Sequence, residues 1–221
     1  MTVGKLRVEG IILDLDGTIV DSREAYLHAV KSAFKSMGRE NIDEKLALEI
    51  PKRLEQNLPI DDMLGGVDTE KFLKIYLNTY YGVTSEKSKP IPNVSLTLKK
   101  LSQKAKLALI TMRFVPREAV VAELEKFGLA KYFQHVMTAL DADKPKPSPD
   151  ALKKCMEMMC IQPEECLVVG DSIADIRAGK SVGATTVAVL SGIFSREELE
   201  KENPDFIIGN INELPDILER L

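Results

Sequence analysis

No stretch of this sequence approaches the roughly 20 consecutive apolar residues that a membrane-crossing helix needs. Cysteine occurs three times and histidine twice in 221 residues. Cys155, Cys160 and Cys166 are odd in number and fit neither a CxxC nor a Cys/His ligand spacing, so they read as reduced, packed thiols rather than a zinc or redox centre. There is no basic run either. Thirty Lys and Arg stand against 34 Asp and Glu, for a net charge of -4, with both signs spread along the chain. A nucleic acid polymer, which demands a concentrated positive field, is therefore not an expected partner. The opening MTVGKLRVEG has no apolar core of the kind a secretory leader carries, so a cytoplasmic, membrane-free protein is the expectation, monomeric by default. Internal repeats and low-complexity tracts are absent.

What is present is material for a core. Hydrophobic residues make up 44% and charged residues 29% of a chain whose length suits one domain, or one domain with an insertion. A chain of this size buries roughly 70% of its unfolded surface. Short β-branched runs alternate with helical patterns, the signature of an α/β fold with a Rossmann-like, doubly wound parallel sheet. The strands are expected at Gly10–Asp14, Lys106–Thr111, Gln134–Thr138, Glu165–Gly170, Thr185–Leu190 and Asp205–Ile208. Helices are expected near Asn93–Gln103, Pro116–Phe127, Pro149–Cys160, Ser172–Val182, Ser195–Lys201 and Glu213–Leu221. Asn93 and Ser195 read as caps, Pro116 and Pro149 as first-turn prolines, and Gly128 and Gly183 as helix stops. The segment 21–88 breaks the alternation with three helical stretches, near Arg23–Met37, Ile42–Asn57 and Thr69–Tyr81. So long a crossover predicts an inserted helical cap, with residues 1–20 and 89–221 forming the core.

Four segments carry chemistry. In IILDLDGTIVDS, Asp14 and Asp16 are two apart, so an extended backbone directs both carboxylates to one side, at the carboxyl end of a strand. The string DxDGT has a chance expectation of roughly two in a thousand in a chain of this length. In VVGDSIADIRAG, Asp171 and Asp175 share a helix face; they fit either a shared cation or the capping of a helix start. Lys146, in DKPKPSPD, is presented from a proline-stiffened loop, or is a surface lysine in a turn. Thr111 ends the strand LITMR and fits a phosphate-binding hydroxyl or a strand-end residue. All four converge on one sheet edge. Asp14, Asp16, Asp171 and Asp175 with Lys146 leave a strong negative excess, and oxygen ligands without His or Cys point to Mg2+.

DLDGTIVDS, GDSIADIRAG and KPSPD, in this order, resemble the haloacid dehalogenase superfamily, and within it the phosphoglycolate phosphatase-like group with a helical (C1-type) cap. The resemblance spans nearly the whole chain. It implies a Mg2+-dependent phosphatase acting on a small phosphorylated metabolite. Asp14 would be the nucleophile that forms an aspartyl phosphate, and Asp16 the general acid and then base. Lys146 would steady Asp14 and the phosphate, and Thr111 and Met112 would hold phosphoryl oxygens. Asp14, Asp16 (through its backbone carbonyl) and Asp171 would bind the metal, with Asp175 supporting them from behind. Two departures stand out: Met112 and Arg113 where relatives commonly have Asn after Thr, and Asn93 where Gly is usual. Arg113 either adds a charge near the site or faces solvent, and Arg113 and Arg53 are candidate substrate contacts. Asp16 argues against the dehalogenase and phosphonate-hydrolase branches, which lack it. Gly170 before Asp171 favours a phosphatase over a sugar phosphomutase, which often carries Glu there. A catalytically silent binding domain is the remaining alternative.

Overall fold

The computed structural model describes residues 7–220. They form two compact units, one running to Ile19 and resuming at Pro90, the other spanning Val20–Lys89.

The first unit holds a six-stranded, all-parallel sheet. Its strands are β1 (Gly10–Leu13), β4 (Lys106–Ile110), β5 (His135–Met137), β6 (Cys166–Gly170), β7 (Thr185–Val189) and β8 (Phe206–Ile208). They are ordered β5-β4-β1-β6-β7-β8. The chain thus builds outward from β1 to one edge, then returns to build outward on the other side. The reversal falls between β1 and β6, where open α/β sheets bind their ligands. Six helices belong to this unit: α4 (Val94–Ser102), α5 (Arg117–Lys126), α6 (Asp150–Met159), α7 (Ile173–Val182), α8 (Arg196–Glu200) and α9 (Leu214–Arg220).

Both faces of a doubly wound sheet are covered, so its strands read as continuous apolar runs, and all five residues of β6 are buried. On one face Ile12, Ala108, Ile110 and Val168 pack against Leu152, Cys155, Met156 and Met159 of α6. Cys155, Met156 and Met159 of this sulfur-rich stretch are therefore core, whereas Met158 and Cys160 are exposed, so Cys160 is not the packed thiol expected of it. Burying one such side chain contributes about 1.5–3 kcal/mol. Serines set two helix starts: Ser172 and Ser195 each form a reciprocal capping box, with Asp175 and Glu198. Gly183 ends α7 in the left-handed region, at φ 82°.

The second unit contains α1 (Arg23–Lys35), α2 (Glu44–Glu55) and α3 (Thr69–Lys87). Phe34 and Phe72 are fully buried in it, with ring centroids 4.9 Å apart. At its ends β2 (Val20–Asp21) pairs with β3 (Lys89–Pro90), and Ser22 Oγ lies 3.1 Å from Ser88 Oγ.

Three local expectations are corrected. Helix α3 runs six residues past Tyr81, because Gly82 is tolerated inside a helix when its neighbours Tyr80 and Thr84 are buried. Asn93 gives its helix no side-chain cap; it takes the left-handed conformation at φ 65°, which Asn tolerates better than other non-glycine residues. Pro116 and Pro149 sit one place earlier than expected, at the cap positions themselves. The last residue of the expected final helix, Leu221, and residues 1–6 of the expected core lie outside the described residues. Among the described residues no helix is long and apolar enough to cross a membrane.

Cys155 and Cys166 are buried and Cys160 is exposed, and burial pushes both enclosed thiols up to about 12. A thiol reagent should therefore titrate one cysteine per native chain at neutral pH and all three after denaturation. Fast reaction of two or more in the native state would contradict this packing.

Candidate functional site

Parallel register fixes the site. Leu13 is paired with Leu109 of β4 and Val169 of β6, so the residues that follow these three leave the sheet at the same edge. Asp14 extends the ladder by one step, its N–H donating to Val169 O at 2.9 Å. Gly17 then turns the chain at φ 81°. The strand ends of β1, β4 and β6 carry Asp14, Thr111 and Asp171 to that edge, and Lys146 reaches it from the loop before α6.

Lys146 is the centre of the arrangement. Its Nζ donates to Asp14 Oδ1 at 2.6 Å, to Asp175 Oδ1 at 2.5 Å and to Ile110 O at 3.0 Å. All three ammonium protons are engaged, and the side chain is 2% exposed. The surface-lysine reading is therefore overturned. Asp175 caps the helix start, as one of its two readings has it, and also meets Lys146. Its Oδ2 accepts from the N–H of Ser172 at 3.2 Å and from Ser172 Oγ at 2.6 Å, closing the capping box, while Oδ1 faces Lys146.

Carboxylate oxygens of Asp14, Asp171 and Asp175 lie within 4.8 Å of one another, all three buried. Burial raises the Asp14 carboxyl from 3.8 to about 8, opposed by the charge of Lys146 and reinforced by that of Asp175. For Lys146, burial acts to lower the value, but two adjoining carboxylates outweigh it and raise it. One cation thus serves two buried anions, and Asp14 remains under-compensated. The backbone leaves room beside them: a Cβ at Gly192 or at Gly17 would overlap the Asp171 carboxylate. A hard, oxygen-only, negatively charged cradle of this kind fits Mg2+ rather than zinc.

Arg113 does not face solvent. It is 4% exposed and pairs side-on with Asp16, Nε to Oδ2 and Nη2 to Oδ1, both at 2.7 Å. Its other edge meets Glu123, with Nη1 donating to Oε2 at 2.6 Å and Nη2 to Oε1 at 3.3 Å. Thr111 is buried, and its Oγ1 accepts from the N–H of Arg113 at 3.3 Å while its own N–H continues the ladder to Met137 O. Met112 is half-buried between them. Arg53 belongs to the helical unit, where Nη1 donates to Asp62 Oδ1 at 2.7 Å and to Pro59 O at 3.1 Å. Arg23 is likewise engaged locally, with Asp21.

Sequence reasoning missed Glu123, Ser191 and Gly192. Ser191 Oγ donates to Gly17 O at 2.7 Å, tying the loop after β7 to the Asp14 loop. Nothing in SGIF distinguishes that loop from any other turn. Glu123 did leave a signal: it shares the apolar face of α5 with Val120 and Leu124, where a carboxylate needs a buried partner.

Residues 11–189 match the family of haloacid dehalogenase-like hydrolases. Phosphoglycolate phosphatase of Escherichia coli strain K12 is 31% identical, over 94% of this chain and 91% of that protein. The Clostridium perfringens protein named "Putative pyrophosphatase PpaX" is 29% identical, over 97% of this chain and 99% of that one. Among solved structures, a protein of Haemophilus somnus described as a predicted phosphoglycolate phosphatase superposes with a TM-score of 0.76 at 25% identity, covering 95% of this chain and 97% of its own.

Two outcomes follow from the crowded charge. A carboxyl whose folded-state pKa lies above its unfolded value contributes stability that is fully present below about pH 4 and is lost as pH rises through about 8. Between pH 5 and 8 the metal-free protein should therefore lose up to about 1.4 kcal/mol per pH unit from Asp14. Mg2+ should raise the melting temperature increasingly over the same window, since a cation binds the ionised form. Thermal melts with and without Mg2+ measure both, and Asp14→Asn should flatten the pH dependence; an unchanged slope would refute the assignment. In the same melts Gly192→Ala, which displaces the Asp171 carboxylate, should leave the protein folded but abolish the Mg2+ shift.

Proposed function

The chain belongs to the haloacid dehalogenase-like hydrolases and is a phosphatase of that family, and on that footing we propose that it cleaves a small phosphomonoester through an aspartyl phosphate on Asp14. The observation that carries this reading is the Lys146 ammonium shared between Asp14 and Asp175. It supplies positive charge where a carboxylate must approach an anionic phosphate.

An Asp14 carboxylate oxygen attacks phosphorus as the bond to the leaving oxygen breaks, and Asp16 gives that oxygen a proton. In the second half-reaction Asp16 takes a proton from water, whose oxygen attacks phosphorus; Asp14 is released and inorganic phosphate departs. Lys146 orients Asp14 throughout, and Thr111 and Met112 bound the space for the phosphoryl oxygens. Mg2+, held by the carboxylates of Asp14 and Asp171 and the backbone carbonyl of Asp16, would add the positive charge that an incoming phosphate needs, with Asp175 bracing the set. The helical unit, Val20–Lys89, is the cap that selects the substrate. The relatives' names put phosphoglycolate first among substrates to try and pyrophosphate second. Gly170, where phosphomutases often carry Glu, supports hydrolysis over transfer to a sugar.

Phosphate release from p-nitrophenyl phosphate by purified protein, with Mg2+ or with EDTA, tests the reading. Turnover should require the metal and fall by more than about a thousandfold in Asp14→Asn. Activity undiminished in that variant would exclude the covalent route.

A further inference from the structure

Arg113 and Glu123 are buried and charged, and the reaction described above does not use them. Taking an ion pair out of water is costly, and an apolar pair of the same shape would pack at least as well. Glu123 occupies a position on α5, between Val120 and Leu124, that an apolar side chain would suit. A buried ion pair is by itself a weak source of stability.

The geometry shows what it holds. Glu123 meets the Nη1/Nη2 edge of the guanidinium and Asp16 meets the Nε/Nη2 edge. A side-on pairing of two planar groups admits one orientation of each. Glu123 thus sets the plane of Arg113, and Arg113 sets the rotation of the Asp16 carboxyl. Both edges of the guanidinium are taken by carboxylates, so Arg113 is placed to act on Asp16 rather than on a phosphate. Lysine at this position would keep the charge but lose the fork that fixes orientation.

We propose that Arg113, held by Glu123, is a positioning residue that aims the Asp16 carboxyl at the leaving-group oxygen. This rests on the reading of Asp16 as the proton donor. A donor's alignment matters in proportion to the basicity of the oxygen it serves: nitrophenolate departs without help, whereas an alkoxide needs the proton. Misaligning Asp16 must therefore slow poor leaving groups more than good ones.

The test compares wild type, Asp16→Asn, Arg113→Lys and Glu123→Gln on p-nitrophenyl phosphate, phenyl phosphate and the alkyl monoester the enzyme turns over best, with Mg2+. Thermal melting confirms which variants are folded, and Glu123→Gln, nearly isosteric, keeps the comparison available should Arg113→Lys not fold. Arg113→Lys should lower kcat by less than about tenfold on p-nitrophenyl phosphate and by about a hundredfold or more on the alkyl ester, with KM little changed. Its dependence on leaving group should parallel that of Asp16→Asn, and Glu123→Gln should show a shallower version. A flat profile for Asp16→Asn would overturn the proton-donor reading and this inference with it. A steep profile for Asp16→Asn beside equal losses on all substrates for Arg113→Lys and Glu123→Gln would overturn the inference alone, as would a raised KM with kcat unchanged.

Discussion

A single ammonium group, the Nζ of Lys146, joins two carboxylates delivered by different parts of the chain: Asp14 from the end of β1 and Asp175 from the first turn of α7. Without it, two anions would face each other out of water and repel. With it, the loop before α6, the end of β1 and the start of α7 are held in one geometry. The same contact leaves the site short of positive charge. Burial pushes the Asp14 carboxyl up to about 8, and one ammonium shared between two carboxylates offsets this only in part. The sheet supplies the scaffold by parallel register, and the acidic cluster at its edge carries more negative than positive charge.

Arg113 and Glu123 add one charge of each sign, so they change the local field without changing its total. They sit on the Asp16 side, whereas Lys146 sits on the Asp14 side. The two aspartates two residues apart are thus each given a separate basic partner: a compact ammonium for the group that must move toward phosphorus, a rigid fork for the group that must be aimed. The chemical difference between Lys and Arg matches the division of labour proposed for Asp14 and Asp16.

Much of this was legible in the sequence because the signals were local. A strand ending in DLDGT and another ending in GDS announce themselves within a few residues, and parallel register does the rest. Alternation of β-branched runs with helical periods was enough to place all six strands of the core sheet. What could not be read depends on separations along the chain. Arg113 lies 97 residues from Asp16, and no spacing rule says that its guanidinium turns inward. The apolar face of α5 held the clue in Glu123, but a single acidic residue in an amphipathic pattern is usually a register error or a solvated edge. Helix α3 continues past Tyr81 because the burial of Tyr80 and Thr84 outweighs the low helix propensity of Gly82 between them, which no local pattern shows. Asn93 shows the reverse: its type indicated a special backbone position, but the position proved to be a left-handed turn rather than a cap.

The helical segment leaves the core at Val20 and returns at Lys89, and those two points are hydrogen-bonded neighbours in the β2–β3 ribbon. Seventy residues therefore enter and leave through a doorway two strands wide. For the sheet, such an excursion is topologically equivalent to a tight turn: its length and contents can vary without altering the pairing of β1 with β4 or β6. A fold wired this way can exchange or resize the inserted segment, by natural recombination or by design, while the phosphate chemistry at the strand ends is inherited unchanged.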